Sequence, residues 1–396
     1  MTGPAPEAEP VELSEHERAS QSLTRPTAAN ALLAIERALS GTGDWASADA
    51  HIRKATTGPI DSAPHASLYY GAPAVAFVLH AARAGHPRYQ AAARSLDKHV
   101  ARLAQRRLAT AAERMRRRAP AAPAAFAEYD LFRGLTGLGA LLLLRAPGSD
   151  LLGAVLTYVT CLTQPRRVDG AALPGWWADH DPDPLAPTPG GHVNLGLAHG
   201  AAGLLALLSL ASLRGCTVPG QTDAIETLAG WYDQWRQHSA DGTWWPQWLT
   251  REDLRTGHPS QRGPGRPSWC YGTAGIARAQ QLAALATGDP VRRGIAEKAM
   301  AECLTGQQLQ KITDAGLCHG MAGVYQTAYR ASLDAANQAI GSRLPALAAA
   351  LTQHAAIGQD DTEGLLDGPA GVGLALETAR HTTPPRSGWD ACLLIT

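Results

Sequence analysis

The sequence predicts an all-α fold with helices in two concentric layers, and three observations predict it. A short glycine motif followed by an apolar run recurs six times, with first glycines at 71, 134, 200, 272, 320 and 368, hence at intervals of 63, 66, 72, 48 and 48 residues. The run after each motif is almost wholly apolar, as in Leu204-Leu205-Ala206-Leu207-Leu208, which is the pattern of a buried helix. The stretches between motifs are charged and amphipathic, as from Arg292 to Thr305, where Gly306 stops the helix. Repetition of one unit favours a closed or stacked helical array over a doubly wound sheet. The tightest spacing suits two helices with short connections, so the buried helices form an inner ring and the amphipathic ones face water.

In chain order, residues 1–25 are expected to form a flexible N-terminal segment, since its first part is rich in Pro and Glu and has no apolar signal core. One helical domain is expected over 26–396. Its first motif, Tyr70-Gly71-Ala72-Pro73-Ala74-Val75, has Ala74 in place of the second glycine. Then come Arg133-Gly134-Leu135-Thr136-Gly137-Leu138 and His199-Gly200-Ala201-Ala202-Gly203-Leu204. Between the first two lies a basic run from Arg102 to Arg118, expected to be the solvated face of a helix, with a docking patch for an acidic peptide as the lesser alternative. The later motifs are Trp269-Cys270-Tyr271-Gly272-Thr273-Ala274-Gly275, Cys318-His319-Gly320-Met321-Ala322-Gly323 and Asp367-Gly368-Pro369-Ala370-Gly371-Val372. A seventh motif is not evident. Two inserts, around 163–194 and 242–268, break the rhythm with prolines and with Trp176, Trp177, Trp244, Trp245 and Trp248. Long irregular loops in a compact domain are often functional, and the tryptophans argue for order, so these loops are expected to roof a cleft and to order a peptide in it.

Composition narrows the class. Apolar residues make up 45% and charged residues 18% of 396, which is a globular balance, and the formal net charge of zero removes a global electrostatic case for nucleic acid. Cys161, Cys216, Cys270, Cys303, Cys318 and Cys392 are too few for a disulfide scaffold in so long a chain. No apolar stretch approaches transmembrane length. A soluble protein of a reducing cytoplasm is expected, in which free thiols can serve as metal ligands.

The phase of the repeats points to chemistry. Cys270 and Cys318 both stand two residues before a first glycine; His199, His319, Arg133 and Asp367 stand one before; Asp130 stands four before. Equal phase in a ring means equal height, so these side chains are expected to converge around one opening. Cys270, Cys318 and His319 offer zinc three ligands and leave a fourth position open, as catalytic zinc sites do. The remaining cysteines fall outside this phase and read as packing residues. His180, His192 and His258 lie in the inserts, as substrate contacts or as surface.

The combination Trp-Cys-Tyr-Gly, Cys-His-Gly and Ala-His-Gly closely resembles the lanthionine synthetase C-like family, and the resemblance runs from about Asn30 to Thr396, including the Trp389-Asp390 tail. It implies a double α/α toroid of about seven inner and seven outer helices. It also implies a zinc-dependent cyclase that adds peptide cysteine thiols to dehydroalanine or dehydrobutyrine, forming thioether rings. On that resemblance Cys270, Cys318 and His319 match the zinc ligands and His199 the acid/base. Asp130 matches an active-site aspartate that orients His199 or takes the thiol proton. Arg266, four residues before Cys270, matches a cation able to stabilise the enolate oxygen. Tyr271 can donate to the same oxygen, and Trp269 reads as a wall of the site. A dehydrated leader–core peptide is the implied substrate and a separate dehydratase the implied partner, since too little chain precedes the repeats to hold one. A membrane-associated complex enters only through partners. The rival readings are a glutathione-adding member of the family, a toroidal zinc prenyltransferase, and a zinc-stabilised peptide-binding scaffold without catalysis.

Overall fold

A computed structural model describes residues 12–116, 123–168, 170–183, 185–358 and 360–396. Its helices are α1 (Glu15–Ser20), α2 (Pro26–Ser40), α3 (Trp45–Thr56), α4 (Ala72–Ala82), α5 (Tyr89–Arg116), α6 (Phe126–Tyr129), α7 (Leu135–Arg145), α8 (Asp150–Leu162), α9 (Ala201–Leu213), α10 (Gln221–Gln234), α11 (Arg251–Thr256), α12 (Thr273–Thr287), α13 (Pro290–Cys303), α14 (Gly306–Leu309), α15 (Met321–Leu333), α16 (Leu344–Ala355) and α17 (Pro369–His381). Six short strands, β1 (Arg166–Val168), β2 (Ala171–Leu173), β3 (His192–Asn194), β4 (Gln237–Ser239), β5 (Gly242–Trp244) and β6 (Trp248–Thr250), pair antiparallel as β1–β2, β3–β6 and β4–β5. Helices α2, α4, α7, α9, α12, α15 and α17 each pack on the next, and α17 packs on α2, which closes an inner ring. The amphipathic α3, α5, α8, α10, α13 and α16 lie outside it. Every residue of α4 is buried, whereas α5 buries one stripe.

The glycine motifs are explained by close approach. Each first glycine is the N-cap of an inner helix. The second glycine, three residues on, faces the carbonyl six residues before it. A Cβ there would lie 2.1 Å from Leu131 O at Gly137, 1.9 Å from Trp269 O at Gly275 and 1.8 Å from Leu365 O at Gly371. The loop therefore folds back over the first turn of its own helix, and at these three glycines a Cβ would collide with backbone.

That fold-back presents loop backbone to the neighbouring loop, and the loops join in a circle. Leu23 N donates to Tyr69 O, Leu365 N to Leu23 O, Cys318 N to Leu366 O, Cys270 N to Cys318 O, Leu197 N to Cys270 O, and Leu131 N to Ala198 O, at 2.7–3.2 Å. Leu23 thus fills the place held elsewhere by the residue two before a first glycine. The seventh repeat is present with Arg25 as N-cap and Pro26 opening α2. Without glycines it gives no motif signal. This also corrects the expected flexible segment: residues 1–11 lie outside the described residues, but α1 is capped by Ser14 and Glu17, and Gln21 and Leu23 are fully buried.

The C-terminal segment fills the centre. Tyr69 Oη donates to Cys392 O (2.9 Å), Trp269 Nε1 to Leu393 O (3.0 Å) and Arg278 Nε to Ile395 O (3.0 Å), while Gln326 and Arg330 bind the Asp390 carboxylate. Trp269 is accordingly a buried support beneath the rim rather than a wall of the cleft.

The two inserts meet in the β3–β6 ribbon. Their tryptophans Trp176, Trp177, Trp244 and Trp245 are buried, with Trp245 Nε1 donating to Tyr232 O. The order they were expected to mark is present, with Trp176 packed on Trp231 and Trp245 on Tyr232 of α10; Trp248, half-buried, packs edge-on to Tyr271. Among the cysteines outside the motif phase, Cys303 and Cys392 are buried, whereas Cys161 is exposed on α8 and is not the core residue expected. The basic run is more than a solvated face: Arg107 binds backbone carbonyls and Arg114 forms a two-point ion pair with Glu128. Arg117 and Arg118 lie outside the described residues.

Gly371→Ala is expected to lower stability by about 1–3 kcal/mol, the usual cost of overpacking. Gly294→Ala, in α13 with open space around it, should raise it by about 0.5–1 kcal/mol. Urea unfolding followed by circular dichroism checks both; equal effects would contradict the close-approach explanation.

Candidate functional site

The rim brings the phase-matched residues together. Ligand atoms of Cys270, Cys318 and His319 all lie within 4.8 Å of one another, and among the described residues these three alone form such a group of His, Cys, Asp and Glu. Adjacent repeats supply them, and the hydrogen bond from Cys270 N to Cys318 O sets their spacing. Cys270 is buried; Cys318 and His319 are half-exposed at the mouth. The Cys270 thiol is held well below its ordinary range by the hydrogen bond to Cys318, with His319 and Ser268 adding to it against burial. Cys318 is pushed up as the proton donor of the pair and by burial. His319 is raised by its hydrogen bond to Cys270. Two thiols and an imidazole are thus crowded into one hydrogen-bonded cluster centred on the Cys270 sulfur. Two soft donors and one borderline donor fit a zinc ion, and no fourth donor of these types joins them among the described residues.

His199 stands beside the cluster, its loop tied to that of Cys270 by the hydrogen bond from Ala198 N to Cys270 O at 3.2 Å. Its Nδ1 is 2.6 Å from Asp130 Oδ2. Asp130 has a fully buried side chain, and its Oδ1 accepts from the amides of Arg133 and Gly134 at 2.6 and 2.9 Å. The carboxylate is therefore satisfied inside the protein, and one nitrogen of His199 is committed to it. The imidazole is clamped by Phe126, stacked at 5.0 Å, and by Phe132 at 4.8 Å. Tyr271 lies 6.0 Å from the His199 ring, and burial raises its phenol. Asn194 Nδ2 reaches the Tyr271 oxygen at 3.4 Å. That contact leaves the phenolic proton free to point elsewhere. Arg266 is exposed, and its charge acts on both Cys318 and His319.

Several neighbours escaped the sequence reading. Asp314 lies 3.7 Å from His319, and Asp367, which its phase already placed at this rim, lies 3.8 Å from it, both outside hydrogen-bond length. Phe132 and Tyr69 occupy the same phase as Cys270 and Cys318, so the signal that found the thiols was available for them. Phe126 and Asn194 come from a short helix and from β3 and carry no motif signal. Of the insert histidines, His258 is exposed and His180 half-buried, while His192 is fully buried and its Nδ1 donates to His180 O (2.9 Å). Burial lowers His192 to about 4.

A family model described as lanthionine synthetase C-like protein matches residues 20–394. The nisin biosynthesis protein NisC of Lactococcus lactis subsp. lactis is 24% identical over 202 residues, 50% of this chain and 48% of that protein. That alignment spans about half the length of the curated relative. A solved structure of nisin cyclase superposes with a TM-score of 0.79 at 20% identity, covering 95% of this chain and 92% of that one. The fold is thus shared with a cyclase.

Cys318→Ala is expected to abolish stoichiometric zinc uptake, and His199→Ala to leave it intact, as read by elemental analysis of dialysed protein. A buried neutral His192 stabilises the fold above its unfolded pKa of about 6.5, and that contribution is lost as acid protonates the unfolded chain between about 6.5 and 4. Over this window wild type should lose up to about 1.4 kcal/mol per pH unit more than His192→Gln; parallel stability curves would contradict the assignment.

Proposed function

The chain belongs to the lanthionine synthetase C-like family, and from that premise we propose that it is a zinc-dependent lanthipeptide cyclase. The observation that carries the reading is the Asp130–His199 pair standing on the same rim as the three-donor cluster, one hydrogen-bonded loop away. In the proposed reaction the sulfur of a peptide cysteine adds to the β-carbon of a dehydroalanine or dehydrobutyrine in the same peptide. The alkene electrons move onto the carbonyl as an enolate, and a proton then joins the α-carbon. Mass is conserved, since the proton lost by the thiol balances the proton gained by carbon.

Cys270, Cys318 and His319 would hold the zinc, whose chemistry is to keep a thiol deprotonated near neutral pH. Everything else falls to the chain's own groups. With Nδ1 committed to Asp130, the other nitrogen of His199 is the one able to exchange a proton with the substrate. Asp130 fixes the tautomer and offsets the imidazolium charge, an arrangement familiar from other acid/base pairs. Tyr271 offers a phenolic proton to the enolate oxygen, and Arg266 a positive field at the mouth. Phe126 and Phe132 keep the imidazole in one plane and exclude water from it. The acceptor alkene must come from a prior dehydration of Ser or Thr, which makes a dehydratase the expected partner and a dehydrated leader–core peptide the expected substrate.

Incubation with a dehydrated, cysteine-containing peptide should consume free thiols, read by alkylation, without change of peptide mass. His199→Ala and Asp130→Asn should slow ring formation by about 10²–10⁴-fold while zinc content stays at one per chain. Full cyclisation by the His199 variant would remove it from the mechanism, and unchanged thiols with wild type would sink the reading as a whole.

A further inference from the structure

We propose that Arg107, on the outer helix α5, is a positioning residue that sets the Asp130–His199 pair for catalysis; the inference rests on the cyclase reading above. The rim loops form a circle of seven, and six junctions are closed by backbone hydrogen bonds. Among the described residues no such bond joins the loop before Gly71 to the loop before Gly134. Arg107 spans that junction. Its Nε and Nη2 donate to Pro64 O at 3.1 and 2.7 Å, Nη2 also donates to Ala66 O at 2.9 Å, and Nη1 donates to Arg133 O on the other side.

The contact with Arg133 O reaches the chemistry through a single peptide unit. The carbonyl of Arg133 and the amide of Gly134 belong to one planar group. The guanidinium holds its oxygen while its N–H donates to Asp130 Oδ1 at 2.9 Å. Polarising the carbonyl strengthens the amide as a donor, and pinning the plane aims that donor at the carboxylate. Asp130 Oδ2 in turn holds His199 Nδ1. All four hydrogen bonds that Arg107 makes go to carbonyls, and the carboxylate whose field it feels is Asp130. A guanidinium is the one side chain whose rigid fork serves three carbonyls at once. Without it the peptide plane can turn, and the buried carboxylate loses the alignment that orients the imidazole.

The test compares wild type, Arg107→Ala, Arg107→Lys and the exposed-site control Arg102→Ala, each with zinc content and peptide affinity measured. Arg107→Ala is expected to lower kcat by about 10- to 100-fold with KM and zinc unchanged. Added guanidinium should recover much of the loss. Arg107→Lys should remain impaired because an ammonium cannot bridge the three carbonyls, and Arg102→Ala should match wild type. Proton NMR supplies a readout independent of turnover: the low-field His199 Nδ1 proton, assigned by its absence in His199→Ala, should disappear from Arg107→Ala and return with guanidinium. An intact low-field signal in Arg107→Ala would overturn the proposal, even if wild type formed no rings. So would a kcat loss accompanied by zinc loss and insensitive to guanidinium, which is the mark of a merely structural staple.

Discussion

The circle of backbone hydrogen bonds around the rim is the constraint on which the rest of this protein depends. An inner helix must start with several amides unsatisfied by its own turns; here the folded-back loop supplies carbonyls to them, as Gly137 N donates to Asp130 O and Gly275 N to Ser268 O, while its other backbone groups bond to the neighbouring loops. In five of the seven repeats glycine stands at the helix start and again at the third helical residue, where loop carbonyls lie in the place of Cβ atoms, while Ala74 and Ala28 hold the third position in the other two. The circle also fixes the height of every residue two before a first glycine. Cys270 and Cys318 meet because their own amide and carbonyl are hydrogen-bonded to each other. The distance between potential metal ligands is therefore set by the fold's main chain, not by flexible side chains.

The site built on this frame carries two electrostatic tensions, resolved in opposite ways. Asp130 is a buried carboxylate, costly unless fully hydrogen-bonded, and two amides and an imidazole meet that demand within the chain. The thiol pair and His319 are left with protons to share and acidic neighbours at Asp314 and Asp367. A self-satisfied pair is suited to hold and return a proton, whereas a cluster of two soft donors and one borderline donor is suited to take a cation. Their separation by one loop puts a proton-exchanging group beside a thiol-binding group. The aromatic walls of Phe126, Phe132 and Tyr271 surround the space between.

Legibility in the sequence followed the glycines. Where both were present the repeat, its helix and its phase could be read, and the three clustered ligands followed by counting. Leu23 and α2 were missed because Arg25 and Pro26 start the helix by other means, a fixed φ in place of a small residue. The insert tryptophans announced order, which their burial bears out, but not what supplies it. A large aromatic in a loop marks order, but whether it is ordered by a ligand or by its own loop depends on what packs against it. Trp245 finds the carbonyl of Tyr232 and Trp177 is buried. Arg107 was hidden in a run of like residues whose composition says nothing about which one turns inward.

By itself, then, the sequence determined the all-helical class, the repeat, and the convergence of Cys270, Cys318, His319, His199 and Asp130 at one level. Those are consequences of local rules, in which glycine spacing fixes phase and phase fixes height. Only the tertiary structure decided which neighbours complete the level. It placed Phe126 against His199, Asn194 on Tyr271, the C-terminal tail in the central opening, and Arg107 across the unclosed junction. Each of these is a contact between segments remote in sequence and unrelated by the repeat, so no periodicity records it. Ring closure, which makes the first and last repeats neighbours, is what brings them into reach.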